Sequence, residues 1–256
     1  MTNRPSSITV HAGFHKTGTT SAQGFIRANW RTLARHATLM LKKQISKPVF
    51  FARKYAVDRD PMTRNAFRFN FISCLGELEL NRNSRPLIIS AEDLSGTMPG
   101  YRGIANYSAA ADLAEDVVDA LRHHFGADVP INLLYTVRGR DAWMRSLWAR
   151  HVWRGYTDQD FDDYTRDHAD VLDIDPVLQD ISARVGNASV SAIALEEVAT
   201  HQFGPGAIFL TPLDLPDRAY QHLVPPPHKN KSHPPDRLAQ MLERNRAQGI
   251  RQSDEV

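Results

Sequence analysis

Short apolar runs alternate along this chain with longer segments that have the spacing of an amphipathic helix. Four of these runs predict strands, which cover Ser7–His11, Pro86–Ser90, Pro130–Val137 and Ser189–Leu195, and the second of them has the pattern of a buried strand. Strands that alternate with helices favour an α/β fold, in which a central parallel sheet is flanked by helices. We therefore predict a single domain over residues 1–256.

Helical periodicity occupies most of the intervals between these strands. The first helix follows the first strand and places five apolar side chains on one face: Ala22, Phe25, Ile26, Trp30 and Leu33. Further helices are predicted over residues 63–80, from Leu113 to Phe125 before Gly126, over residues 140–154, and around Leu238, Met241 and Leu242. Residues 37–62 have no clear periodicity and are basic.

Composition limits the possible partners. Of the 256 residues, 42% are apolar and 23% are charged, which is typical of a globular protein. The formal net charge of +2 gives no general attraction for nucleic acid or for a membrane surface, so we expect neither as a partner. The single cysteine, Cys74, excludes an internal disulfide and a cysteine-based zinc site.

The N-terminal segment Met1–Ser7 is short and polar, and it lacks the apolar stretch of a signal peptide. No apolar run in the sequence reaches the length of a transmembrane helix. We therefore expect no integral membrane segment and a cytoplasmic location.

The segment Gly13–Thr20 carries the strongest chemical signal in the sequence. It joins the first strand to the first helix and contains two glycines, one lysine and three threonines. Such a loop directs backbone N–H groups and a helix N-terminus at a bound phosphate. Gly13 and Gly18 have the separation of the glycines in a Walker A loop, but threonines follow where that motif has Lys and Ser/Thr. The lysine lies inside the loop, at Lys16, and this indicates a differently placed anion.

The residues from His15 to Ser21, H-K-T-G-T-T-S, resemble the 5′-phosphosulfate-binding loop of the PAPS-dependent sulfotransferases, whose usual form is close to P-K-[ST]-G-T-T. The variant is similar to that of bacterial and carbohydrate-type members. The resemblance implies a P-loop NTPase-like sulfotransferase fold, 3′-phosphoadenosine 5′-phosphosulfate (PAPS) as co-substrate, no required metal, and an acceptor hydroxyl on a sugar. It implies donor contacts by six consecutive residues: His15, Lys16, Thr17, Gly18, Thr19 and Thr20.

A second similarity to this family follows the third predicted strand. Arg138 comes directly after the strand and Ser146 lies eight residues later, on the next helix. Sulfotransferases have this R-x7-S arrangement for the 3′-phosphate of the donor, so the resemblance implies that role here. The chemistry fits because Arg offers a planar fork of donors to a phosphate and Ser adds a hydroxyl. Arg140 is placed to supply further positive charge.

A third and looser similarity lies just before the last predicted helix. Bacterial sulfotransferases often have an N-x-S segment there, and this chain has one at Asn230–Ser232. We assign Ser232 the role of a helix N-cap rather than a donor contact. Lys229 and Lys231 are placed to screen the 3′-phosphate.

A carboxylate after the second predicted strand is our first candidate for the catalytic base. Glu92 is the first choice and Asp93 the second, because both follow a strand that should neighbour the first one. His15 and His11, which flank the loop, are the third. The alternative for Glu92 is a structural role, either an ion pair with Lys16 or Arg138 or a cap of the loop.

Two other functions share parts of this pattern. A P-loop kinase or nucleotide hydrolase would use residues 88–93 as a Walker B strand, although the chain lacks G-K-[ST]. A non-catalytic nucleotide-binding module would keep the loop without turnover. In the sulfotransferase interpretation, residues 7–35, 86–95 and 130–154 form the nucleotide-binding core. Acceptor specificity is then expected from residues 37–80 and 155–225.

Overall fold

Five parallel strands form one sheet in the order β2-β3-β1-β4-β5. The computed structural model describes residues 4–78, 84–226 and 233–250. The strands are β1 Ile8–His11, β2 Thr38–Leu41, β3 Leu87–Ser90, β4 Ile131–Val137 and β5 Ser189–Ala194. The predicted α/β fold, with a central parallel sheet flanked by helices, is confirmed in these residues.

Helices connect successive strands and cover both faces of the sheet. The α-helices are α1 Thr19–Ala28, α2 Trp30–Leu33, α3 Ser46–Asp58, α4 Pro61–Gly76, α5 Ala110–Phe125, α6 Arg140–Arg154, α7 Phe161–Asp167, α8 Asp175–Arg184, α9 Leu195–Val198, α10 Leu210–Leu213, α11 Asp217–Tyr220 and α12 Pro235–Gln248. Short 3₁₀ turns cover Glu92–Ser95, Ala169–Leu172 and Gly204–Phe209. None of the helices in these ranges is both long enough and apolar enough to cross a bilayer.

The sheet separates two hydrophobic cores, because successive side chains of a strand point to opposite faces. On β3, Leu87 and Ile89 pack in one core with side chains from α3 to α6 and α8. Ile88 packs in the other core with α1 and with the 3₁₀ turn that ends at Phe209. Complete burial of one such side chain contributes about 1.5–3 kcal/mol to stability.

The register of the three central strands brings their carboxyl ends to one edge. Ile8 of β1 pairs with Leu87 of β3 and with Ile131 of β4. The connections that leave β1, β3 and β4 therefore emerge side by side, where open α/β sheets bind their ligands.

Strand β2 was not predicted, since residues 37–62 have no periodicity. Thr38–Leu41 pairs with β3 at the edge of the sheet, and Lys42 follows directly at its carboxyl end. The rest of that segment contributes α3, which packs closely on α4. The boundary of the predicted helix over residues 63–80 was also inexact, since α4 begins at Pro61, with Asp60 as its N-cap, and ends at Gly76.

The predicted first helix is broken at Asn29. Its side chain accepts a hydrogen bond from the N–H of Val224 and donates to the carbonyls of Val224 and Phe25, all within 3.0 Å. Helix α1 therefore ends at Ala28, and Trp30 begins a separate turn with 36% of its surface exposed. The prediction that Trp30 continues the buried face was wrong.

Helix α12 begins at Pro235, with Pro234 at its N-cap position. The prediction that Ser232 caps this helix falls on a residue outside those that the structure describes. Asn230, Lys229, Lys231 and Ser232 lie outside the residues that the structure describes.

Candidate functional site

The loop between β1 and α1 has a tightly constrained backbone. Gly18 has φ 92° at the N-cap of α1, where an added Cβ would lie 2.7 Å from Leu195 Cδ1. Lys16 has φ 70°, a left-handed conformation that is uncommon for a residue with a side chain. The N-cap residue Gly18 has no side chain that could cap the helix, so the first N–H groups of α1 remain available for an anion. Backbone strain of this kind is concentrated at functional sites.

A layer of buried polar side chains lies beneath this loop. The Nδ1 atom of His11 lies 2.8 Å from Ser90 Oγ, and its Nε2 atom lies 3.4 Å from Thr136 Oγ1. Burial lowers the pKa of His11 to about 3, so the ring is neutral at physiological pH. His11 is completely buried and does not line the cavity described below, so its contacts assign it a supporting role.

Hydrogen bonds to neighbouring elements hold the loop in place. The hydroxyl of buried Thr17 donates to the carbonyl of Phe14 at 2.5 Å and lies 2.7 Å from Thr136 Oγ1. At His15, the carbonyl accepts from Trp143 Nε1 at 2.8 Å, and the backbone N–H donates to Tyr107 Oη at 3.0 Å. Because β4, α6 and the segment before α5 all contact the loop, its conformation is set before a ligand binds.

Close packing at Gly13 gives a prediction about stability. An added Cβ would lie 2.7 Å from Thr136 Oγ1, 2.8 Å from Thr19 Cγ2 and 2.9 Å from His11 Nε2. We expect Gly13→Ala to lower the free energy of unfolding by about 1–3 kcal/mol through overpacking, as measured by urea denaturation. Gly76→Ala is the matched control, because its Cβ meets no atom within 4 Å and should be neutral or stabilising. Equal stability of the two variants would contradict the packing described here.

A cavity of about 420 Å³ opens above the loop, at the carboxyl ends of β1 and β3. Six of the residues chosen from the sequence line it together: His15, Lys16, Thr19, Thr20, Glu92 and Asp93. Thr17 is buried behind the loop. Arg138 and Ser146 are not among the described residues that line the cavity, although Arg138 donates a long hydrogen bond of 3.4 Å to the carbonyl of Lys16.

Glu92 begins the 3₁₀ turn that follows β3, and its carboxylate is half-buried in the cavity wall. Its Oε2 atom accepts a hydrogen bond from Gln23 Nε2 of α1 at 2.8 Å. Within residues 4–78, 84–226 and 233–250, Glu92 forms no ion pair with Lys16 or Arg138. The amide therefore orients the carboxylate and leaves it without a cationic partner in these residues.

The neighbouring carboxylate of Asp93 lies between two cations and a histidine. Lys42 Nζ lies 2.5 Å from its Oδ2, and Arg53 Nε and His15 Nε2 lie 3.6 Å and 3.8 Å from its Oδ1. Burial alone would raise the pKa of Asp93, but the hydrogen bonds and charges of His15 and Lys42 outweigh it and lower the pKa to about 2. Asp93 therefore anchors Lys42 and His15, and it is a weaker candidate for the base than Glu92.

Three cations converge at the loop. Burial lowers the pKa of Lys16, and the charges of Arg150 and Arg138 lower it further. Repulsion of this kind persists in the folded protein only when other contacts support it, and a bound anion relieves it. The arrangement is therefore that of an anion-binding site centred on Lys16.

Four of the cations around the cavity were not among the residues chosen from the sequence. Lys42 follows β2, Arg53 comes from α3, and Arg150 and Arg154 come from the last turns of α6. The sequence contained one indication that Arg150 belongs to the site. Arg150 follows Ser146 by four residues, so the two side chains lie on the same face of the helix.

The chain returns to this region at His233. Its ring stacks on Trp153 with centroids 3.7 Å apart and an angle of 7° between the planes. Burial lowers the pKa of His233, and the charges of Lys16 and Arg150 lower it further. The N-terminal approach to α12 therefore lies close to the cationic cluster.

Comparisons with known proteins give no independent assignment of this site. No protein-family model matches the chain, and no curated protein is significantly similar to it. The chemistry of the site is therefore inferred from the residues around the cavity.

Proposed function

We propose that this protein is a PAPS-dependent sulfotransferase that transfers a sulfuryl group to a hydroxyl, with a carbohydrate or glycoconjugate as the acceptor. One observation carries the proposal: Lys16, flanked by Arg138 and Arg150, shares a cavity with the half-buried carboxylate of Glu92. An anion-binding lysine and a carboxylate able to accept a proton are the two groups that this reaction needs. The loop motif over residues 15–21 and the R-x7-S arrangement of Arg138 and Ser146 add the family resemblance.

The donor fits the cationic side of the site. The uncapped N-terminus of α1 and the ammonium of Lys16 would hold the 5′-phosphosulfate. Arg138 and the half-buried Ser146 would hold the 3′-phosphate. In this proposal, the 5′-phosphosulfate and the 3′-phosphate of PAPS each bind a separate set of positively charged or hydrogen-bonding groups near the β1–α1 loop.

In the proposed reaction, Glu92 accepts the proton of the acceptor hydroxyl as the new O–S bond forms. The bond between sulfur and the phosphate oxygen breaks, and Lys16 stabilises the charge that develops on that oxygen. The products are the sulfated acceptor and 3′-phosphoadenosine 5′-phosphate (PAP). Gln23 keeps the Glu92 carboxylate oriented, since its amide donates to Oε2.

Nucleotide binding tests the donor assignment directly. We expect PAP to bind more tightly than 5′-AMP, because only PAP has a 3′-phosphate for Arg138. Arg138→Ala should remove most of the difference, about 1.5–3 kcal/mol for a hydrogen bond to a charged group, as measured by calorimetry. Arg145→Ala is the matched control, because Arg145 is exposed on α6 and stacks on Phe161. Equal affinity of the unmodified protein for the two nucleotides would contradict the 3′-phosphate assignment.

Metal dependence separates this proposal from a kinase or nucleotide hydrolase. Asp93, one of the two carboxylates in the candidate Walker B segment, is already paired with Lys42 at 2.5 Å. We therefore expect transfer from PAPS to persist in EDTA. Activity that EDTA abolishes and magnesium restores would favour the kinase instead, and nucleotide binding without any transfer would favour a binding module.

A further inference from the structure

Positive charge exceeds negative charge around the cavity. Among the described residues, five lysine and arginine side chains line it against two carboxylates. Three of the seven form one ion-paired group, because Lys42 and Arg53 both contact Asp93. Arg150 and Arg154 are not part of that group.

These two arginines lie one turn apart near the end of α6. Arg150 is half-buried and Arg154 is exposed. Neither has an ion pair with a carboxylate in residues 4–78, 84–226 and 233–250. Burial lowers the pKa of Arg150, and the charge of Arg154 lowers it further, yet a guanidinium remains charged at neutral pH. The pair is therefore a partly desolvated double positive charge that faces the cavity.

Arg150 and Arg154 lie in the part of the site where we expect the acceptor to bind. The cavity that Arg150 and Arg154 line contains both Glu92, the proposed base, and Lys16 of the donor loop, so the pair lies where the acceptor hydroxyl would meet the donor. Arg138 and Ser146, which we propose for the 3′-phosphate, do not line it. Tyr101 and Tyr156 line the same cavity, with ring centroids 5.2 Å apart in an edge-to-face arrangement. Aromatic rings of this kind offer an apolar surface for the face of a sugar.

We propose that the acceptor is acidic, and that its carboxylate, sulfate or phosphate group binds Arg150 and Arg154 while its hydroxyl reaches Glu92. This inference rests on the proposed sulfotransferase function. Two guanidinium groups one turn apart suit an oxyanion, because each presents a planar fork of donors. Arg150 lines the cavity together with Lys16, so an acidic group held between Arg150 and Arg154 would place the acceptor beside the bound donor.

Paired acceptors test the inference. Transfer from PAPS is compared for a disaccharide that contains a hexuronic acid and for the same disaccharide with its carboxyl group reduced. We expect kcat/KM to be at least about tenfold higher for the acid, the effect of one hydrogen bond to a charged group. Arg154→Gln should abolish this preference, Arg154→Lys should restore part of it, and the matched control Arg145→Gln should keep it. The affinity for PAP should stay unchanged in all three variants.

A binding measurement makes the result independent of turnover. Calorimetry with the acid disaccharide or with inorganic sulfate, in the presence of PAP so that the donor site at Lys16 is occupied, should show binding that Arg154→Gln weakens at least about tenfold. If PAP fails to bind and no transfer occurs, the proposed function is wrong, while anion binding still tests the arginine pair. Equal reaction of both disaccharides, no binding of either anion, or a loss of PAP affinity in Arg154→Gln overturns the inference.

Discussion

Replacement of Glu92 by Gln is expected to lower turnover by about 100- to 10,000-fold, the usual range for a positioned acid or base. The amide keeps the shape of the side chain but cannot accept the proton of the acceptor. The affinity for PAP should change little, because Glu92 contacts Gln23 and none of the cations that would hold the donor. Steady-state kinetics with PAPS and calorimetry with PAP measure the two effects separately.

Other carboxylates supply the controls for this variant. Glu77→Gln changes an exposed side chain just after α4 and should leave turnover unchanged. Asp93→Asn should loosen Lys42 and His15, so its loss of activity should be accompanied by a loss of stability. If Glu92→Gln stays active while Asp93→Asn or His15→Ala is inactive in a folded protein, the base is the neighbouring residue and our assignment is wrong.

Replacement of Lys16 by Ala should lower turnover by about 100- to 1,000-fold, the cost of removing one group that stabilises developing charge. The loss in kcat should exceed the loss in donor affinity, because charge on the leaving phosphate grows as the S–O bond breaks. Single-turnover kinetics and PAP calorimetry measure the two losses.

The Lys16→Ala experiment needs a control for backbone conformation, because the φ of 70° at this position strains any residue that has a Cβ. Lys16→Gly relieves this strain and also removes the charge. If the charge is responsible, Lys16→Gly should be as inactive as Lys16→Ala. Normal turnover in either variant would contradict the role given to Lys16.

The fold was largely predictable because β1, β3 and β4 are short apolar runs with helices between them. Strand β2 was not predictable, because Thr38–Leu41 has only four residues and is followed at once by Lys42 and Lys43. Its status as a strand depends on pairing with β3, which begins at Leu87, far along the chain. Similarly, the end of helix α1 at Asn29 depends on hydrogen bonds with Val224. The two residues are 195 positions apart, and a local sequence pattern cannot predict such a contact.

The sequence predicted only those site residues that belong to a short motif next to a strand. Lys16 and Glu92 each follow a strand, so the parallel topology was enough to place them on one edge of the sheet. Lys42 and Arg53 reach the cavity only through the packing of β2 and α3, which the sequence did not reveal. His11 illustrates the reverse error: it ends β1 and was considered as a base, but its ring is completely buried among hydroxyl groups.

The unequal distribution of charge has a kinetic consequence. The chain as a whole carries a formal charge of only +2, yet five cationic side chains face a single cavity. Among the described residues, the cavity wall carries more cations than carboxylates, and its concave shape concentrates their field on a diffusing polyanion. Capture of a multiply charged nucleotide should therefore be fast in dilute buffer and slow as ionic strength rises, because added salt shortens the distance over which the cavity attracts it.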